Sequence, residues 1–284
     1  EETSGRLTLE YDLDADSMIY LSQTRGFKPG GTNLTFGASG DGTPAMVLPT
    51  FKSETLDSTE IGFKTEFLDG RALANIAIFD YTYKNLQVQG TDPDVFKGGV
   101  VNIPESEVQG LEIEFTASLS VSWTIDANFA YLVSEITSSF EYLDNAKAQQ
   151  YSFGGESNRY ALREDVKGKE LAKTPDITAD ISLIYSTQLA SGDVLNSSLQ
   201  FVKRGKFFQR IVNNPVQDPV DGYEIINLSS GVDYASGWGF DIMVTNVGDE
   251  DGMNSAMTDV FGVGATGIEY IPPRQLMTRI SYDF

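Results

Sequence analysis

The sequence predicts an all-β chain, an antiparallel up-and-down sheet of the kind that makes a transmembrane β-barrel. Three observations carry this expectation. Polar and apolar residues alternate over one segment after another, rich in β-branched and aromatic types, with no long stretch of helical periodicity. The connections alternate between very short and very long, as a meander with one plain rim and one elaborate rim requires. Many segments also reach the roughly 9 to 11 residues that a tilted spanning strand needs, against about 5 to 6 in soluble sheets.

In chain order, about eleven strands cover residues 6–13, 17–25, 56–68, 71–89, 108–121, 123–135, 177–188, 194–204, 222–234, 238–247 and 274–284. The short turns are "LDADS", "LDG", "SVS", "LASGD" and "ASG". Long loops fall at about 26–55, 90–107, 136–176, 205–221 and 248–273. A β-sandwich with Greek-key crossovers would scatter its long connections instead.

Each strand has one apolar parity. It reads Leu7, Leu9, Tyr11 in the first strand and Ile61, Phe63, Thr65, Phe67 in the third. In the fourth it reads Leu73, Asn75, Ala77, Phe79, Tyr81, Tyr83, and comparable sets follow from Leu111, Trp123, Ile177 and Trp238. None of these positions is charged, which suits lipid, where a mid-membrane Lys or Arg costs roughly 2–4 kcal/mol, and suits a dry core equally. Aromatics at strand ends (Tyr11, Phe67, Tyr83, Trp123, Tyr131, Tyr185, Tyr234, Trp238, Tyr282, Phe284) favour lipid, because amphipathic rings collect at a membrane interface. The opposite parity, with Glu10, Glu66, Glu112, Glu114, Asp126 and Asp180, is the wet acidic lumen of a barrel or the solvated wall of a soluble sheet.

Composition narrows the function. Lys and Arg number 20 against 41 Asp and Glu, a net charge of −21, so nucleic acid is excluded as a partner by repulsion. Neither Cys nor His occurs, which removes disulfides, thiolate sites, the commonest general base and the commonest metal ligand. No stretch approaches the ~18 apolar residues of a spanning helix. The opening "EETSGRLTLEYDLDADS" lacks the features of a signal peptide, so either the protein is not exported or its beginning lies upstream.

Seven segments in fixed order resemble the C-terminal part of TonB-dependent outer-membrane receptors. They are "RGFKPGGTN" (25–33), "SETLDSTEIGFKTEFLDGR" (53–71), "IFDYTYKNLQVQG" (78–90), "GLEIEF" (110–115), "LAKTPDITADISLIY" (171–185), "NVGDED" (246–251) and the final "PPRQLMTRISYDF". The resemblance implies the last eleven strands of a 22-stranded barrel over 1–284, with the plug domain and first strands not present. It implies an outer-membrane transporter of a Gram-negative bacterium that takes up a bulky scarce nutrient, energised by the TonB complex acting on a plug. A ferric siderophore is the commonest cargo of such receptors; cobalamin, an oligosaccharide or another metal chelate is compatible. No cofactor, metal site or catalytic residue is implied, and the chain is not expected to be an enzyme. Further partners are lipopolysaccharide, outer-membrane lipid and the barrel assembly machinery, which would read the terminal aromatic signal Ile280, Tyr282 and Phe284.

Candidate ligand residues lie in the long loops. "VKRGKFFQR" sets Lys206 and Arg210 around Phe207 and Phe208, offering charge and stacking to an anionic ligand or, equally, to headgroup phosphates. Arg25, Phe27, Lys28 and Asn33 stand in "RGFKPGGTN", and Tyr151, Arg159 and Tyr160 in the loop 136–176. "NVGDED" lacks the spacing of a calcium loop and reads as an acidic turn. Two rival readings share the β pattern, a passive porin-like channel and a soluble secreted carbohydrate-binding β-protein.

Overall fold

A computed structural model describes residues 2–33, 35–38, 44–47, 50–91, 98–144, 163–258 and 266–284. Eleven long strands form one sheet: β1 (Gly5–Asp12), β2 (Ser17–Lys28), β3 (Glu54–Phe67), β4 (Ala72–Thr91), β5 (Gly98–Ser118) and β6 (Trp123–Glu135). The rest are β7 (Ile177–Gln188), β8 (Val194–Arg204), β9 (Tyr223–Asp233), β10 (Trp238–Thr245) and β11 (Gln275–Tyr282). Each pairs antiparallel with its sequence neighbour, so spatial order equals chain order. Within the described residues β1 and β11 have one neighbour each, and the sheet is open.

The connections 13–16, 68–71, 119–122, 189–193 and 234–237 are tight, which gathers them on one rim. Leu13 N–H donates to Ser17 O, Leu119 N–H to Trp123 O and Tyr234 N–H to Trp238 O, each at 2.7–2.8 Å. In the β3–β4 turn, Leu68, Asp69 and Gly70 all have positive φ (56°, 57° and 76°), a backbone whose twist matches that of the flanking strands. The other rim carries the long connections, in which short two-stranded ribbons form. Examples are Glu141–Leu143 with Arg163–Asp165 and Met253–Thr258 with Thr266–Tyr270.

Register shows which face is which, because directly opposed residues share a face. One row runs Leu9, Leu21, Ile61, Ile78, Leu111 and Tyr131 across β1 to β6. A second runs Ile125, Leu183, Leu199, Leu228, Val244 and Leu276 across β6 to β11. Among the described residues nothing covers this face: Ile61, Ile78 and Leu276 are 60%, 61% and 67% exposed. The apolar parity therefore does not pack between two sheets. Aromatics edge it along the tight-turn rim, with Trp123 4.7 Å from Tyr185 and Trp238 4.9 Å from Tyr282. Charge returns on the same face only toward the long-loop rim, as Arg25 opposite Asp57 and Lys203 opposite Glu224. An apolar band with an aromatic edge and charged margins is the profile of a wall immersed in bilayer.

Two expectations need correction. In β4 the outward parity is Ala74, Ile76 and Ile78, whereas Leu73, Asn75, Ala77, Phe79, Tyr81 and Tyr83 face inward: Asn75 is opposite Glu114, and Phe79 opposite Gly110. "ALANIAIFDYTY" is apolar on both parities, so alternation alone has no phase there, and the neighbouring strands impose it. Tyr83 accordingly leaves the outer aromatic edge. The loop expected at 90–107 is largely strand, since β4 and β5 stay paired to Thr91 and Gly98. "NIPESE" reads as loop because of Pro104, but the ladder accommodates it opposite Asn85, which sits at φ 54°.

Candidate functional site

The long β4–β5 ribbon stands beyond the rest of the wall, and neighbouring long loops pack against it. Ile103, Ile136, Val166, Leu171, Ile211 and Val212 form a buried cluster drawn from β5 and the β6–β7 and β8–β9 connections. Leu86, Val88, Val108, Phe140 and Tyr142 flank it. Tyr142 donates its hydroxyl to Gln89 O at 2.9 Å, and its ring lies over Gly90, where a Cβ would sit 2.6 Å away. Burial pushes the Tyr142 phenol up to about 12, with Arg210 opposing and Asp144 adding to the rise.

Amide side chains tie in the β2–β3 connection. Asn33 Nδ2 donates to Val100 O and Asn33 Oδ1 accepts from Val100 N–H, both at 2.8 Å. Asn102 makes the same two-way clasp with Lys52, at 2.7 and 3.0 Å. Gln87 Nε2 donates to Pro29 O at 3.0 Å and to Lys52 O at 3.1 Å. Three of the long connections are thus joined to the β4–β5 ribbon in one cap on this rim.

Arg210 is the ionic centre of the cap. Its guanidinium reaches Asp218 Oδ1 at 2.6 Å and Asp144 Oδ1 at 2.9 Å, and both carboxylates are fully buried. Asn214 completes the cluster, its N–H to Asp218 at 2.7 Å and its Nδ2 to Asp144 at 3.1 Å. Burial pushes the Asp218 carboxyl up, and hydrogen bonds and charge from Arg210 oppose it. At the cap's edge Asp165 is held below its usual range, chiefly by the Ser139 hydroxyl and then by the Lys167 and Phe140 N–H groups.

The sequence-predicted ligand residues fall into three settings. Arg25 and Phe27 lie on the outward parity, and Arg25 is ion-paired with Asp57 at 3.3 Å. Asn33, Phe207 and Arg210 are used inside the cap; Phe207 is 4% exposed beneath the Arg204 guanidinium, 4.4 Å from the ring centroid. Lys28 and Lys206 are exposed at the mouth, and Phe208 is half-buried, its carbonyl accepting from Lys173 N–H at 2.8 Å. Tyr151, Arg159 and Tyr160 lie outside the described residues. Below the cap the inner wall is polar and acidic: Tyr20 donates to Glu60 at 2.7 Å, Asn75 to Glu114 at 3.1 Å, and Gln200 to Asp180 at 2.7 Å.

An inner aromatic group went unread in the sequence. Phe79 and Tyr81 stack at 4.5 Å, and Tyr20 and Phe79 lie flat over their cross-strand partners Gly62 and Gly110. A Cβ on either glycine would fall 2.1 or 2.4 Å from the ring. The signal available was a glycine in phase within each of "EIGFK" and "VQGLE". Asn246, from "NVGDED", is likewise a buried staple that donates to Glu250 O at 2.9 Å and Pro272 O at 3.2 Å. No group of three or more carboxylates that could hold a metal occurs among the described residues. At the terminus, Tyr282 and Phe284 meet edge to face at 5.0 Å on the tight-turn rim.

An apolar outer band, an acidic inner wall and a cap of long loops on one rim define a membrane-embedded barrel wall with a receptor-like mouth. The chain belongs to the TonB dependent receptor-like, β-barrel family, whose model matches residues 1–247. It is 28% identical over 184 residues to the "Probable TonB-dependent siderophore receptor PiuA" of Acinetobacter baumannii, covering 63% of this chain and 23% of that protein. It is also 28% identical over 116 residues to the "Catecholate siderophore receptor Fiu" of Escherichia coli, covering 40% of this chain and 14% of that one. Among solved structures, the ferric yersiniabactin uptake receptor FyuA of Yersinia pestis superposes with a TM-score of 0.75 at 18% identity, over 99% of this chain and 37% of that one. The chain therefore spans about a quarter or less of the length of the curated relatives it matches. Its sheet is part of an outer-membrane barrel of a Gram-negative bacterium.

Proposed function

We propose that this chain supplies the wall and mouth of an outer-membrane receptor that takes up an iron–siderophore complex, energised by TonB through a plug held against the inner wall. One observation supports this most directly: long connections pack together on one rim of an acidic, hydrogen-bonding inner wall, built by a chain of the TonB-dependent receptor family. The named relatives in A. baumannii and E. coli are siderophore receptors, which favours that cargo over cobalamin or sugar. Lys28 and Lys206, together with Lys52, Lys167 and Lys173, are exposed cations among the described residues on the long-loop side, where an anionic chelate would meet them. Phe208 and the loop residues Tyr151, Arg159 and Tyr160 complete the proposed contact set. No covalent step is asked of the wall. Its work is to capture, to hold the plug and to leave a path when the plug moves.

Cells expressing the full-length protein as their sole receptor test this reading. They are expected to accumulate radioactive iron from a catecholate siderophore only while TonB is intact. Equal uptake without TonB would point to a passive pore and overturn it. In the same reading Ile280, Tyr282 and Phe284 mark the last strand for the assembly machinery. Phe284→Ala is then expected to lower the amount of inserted barrel without altering the transport rate per inserted receptor.

A further inference from the structure

The chain has neither Cys nor His, so its 6 methionine thioethers are the only soft metal donors it carries. Two of them stand directly opposite each other on the inner wall. Met243 in β10 pairs with Met277 in β11, in the row that runs Ile184, Ser198, Ser229, Met243 and Met277 across β7 to β11. Their sequence neighbours Ile242, Val244, Leu276 and Thr278 take the outward parity. Met243 and Met277 are 41% and 42% exposed, so both side chains are open on the inner side.

We propose that Met243 and Met277 form a binding site for a soft monovalent cation of the copper(I) class. Directly opposed residues have Cβ atoms about 4.5–5.5 Å apart. An ion bound to two sulfurs at about 2.3 Å each holds them at most ~4.6 Å apart, so the register brings two thioethers to the span that such an ion bridges. Thioether sulfur selects soft ions, and the surroundings withhold what a hard ion needs. Asp241 and Arg279, the next opposed pair on this face, are joined to each other at 3.0 Å. The pair on the other side, Thr245 and Gln275, is neutral. A calcium, magnesium or ferric ion therefore meets no unpaired carboxylate among these four neighbours. The acidic inner wall draws cations of every kind toward this face, and the sulfur pair discriminates among them.

The test uses the full-length protein in mild detergent with copper(I) chloride, kept reduced by ascorbate under argon. After a desalting column, copper per protein is read by atomic emission and its neighbouring atoms by X-ray absorption. Wild type is expected to retain copper(I) with sulfur neighbours at about 2.3 Å. Met243→Leu with Met277→Leu is expected to lower that retention about tenfold, since the soft donors are gone. Leucine matches methionine in size and polarity, so packing on this face is kept, and heat-resistant electrophoretic migration checks the fold. Each single leucine variant is expected to show the loss as well, which keeps the test open should the double variant fold poorly. Met253→Leu with Met257→Leu, on the loop ribbon, is expected to leave retention unchanged. No retained copper in wild type, equal retention by the wall variant, or copper surrounded by oxygen and nitrogen alone would each overturn the proposal. So would a loss of copper on changing the loop pair in place of the wall pair.

Discussion

At the scale of single residues, the structure spends its most distinctive side chains on joining, not on display. Arg210 bridges two carboxylates contributed by segments 66 and 8 residues away, so removing it strands two buried charges. Arg210→Ala is expected to destabilise the cap by about 3–5 kcal/mol. Hydrogen exchange would show it as faster amide exchange at 136–144 and 205–221 with the strands unaffected. Tyr142 gives the cap a pH limit. Its folded pKa is raised, so its contribution is complete below the ordinary value of 10 and is lost as pH rises through about 12. Proteolytic susceptibility of the cap should climb across that window in wild type and lose this step in Tyr142→Phe. These roles were not legible in the sequence: "FFQR" announces a cation beside aromatics, and the buried acids that claim it lie in segments with no local mark.

At the scale of elements, most strands were legible to within a few residues of their ends, because one face of each is apolar through the membrane band and the other is not; β5, expected from 108, begins at Gly98. β6, β7 and β8 span the residues the alternation predicts, 123–135, 177–188 and 194–204. β4 failed in phase for the same physical reason that the others succeeded. Where both parities are apolar, only pairing with β3 and β5 can choose, and it turns Phe79 and Tyr81 inward. That choice is secured by the ring-over-glycine pairs. Gly62→Ala places a methyl 2.1 Å from the Tyr20 ring and is expected to cost roughly 1–3 kcal/mol, measured as a lowered denaturant midpoint. Tyr20→Ala in the same chain should recover part of that loss, since the clash then has no partner. Independent, additive costs would contradict the pairing.

At the scale of the whole molecule, eleven strands in simple order make an open sheet whose two faces meet different solvents. The tight turns leave one rim bare, and the long connections build a cap on the other, bound through one small apolar cluster and a set of amide clasps. The fold and its division into a plain rim and an elaborate rim were therefore open to sequence reasoning, since both follow from periodicity and connection length. The composition of the mouth was not, because cap residues are chosen by partners far apart in the chain. The central claim is that the apolar parity touches hydrocarbon and the polar parity encloses the wet interior. Spin labels at consecutive single-cysteine positions 73–80 of β4, in a chain that has no other cysteine, test it most directly. Positions 74, 76 and 78 are predicted to be relaxed by oxygen dissolved in the bilayer, and 75, 77 and 79 to be shielded from it. The opposite phase, or no alternation across these eight positions, would contradict the account.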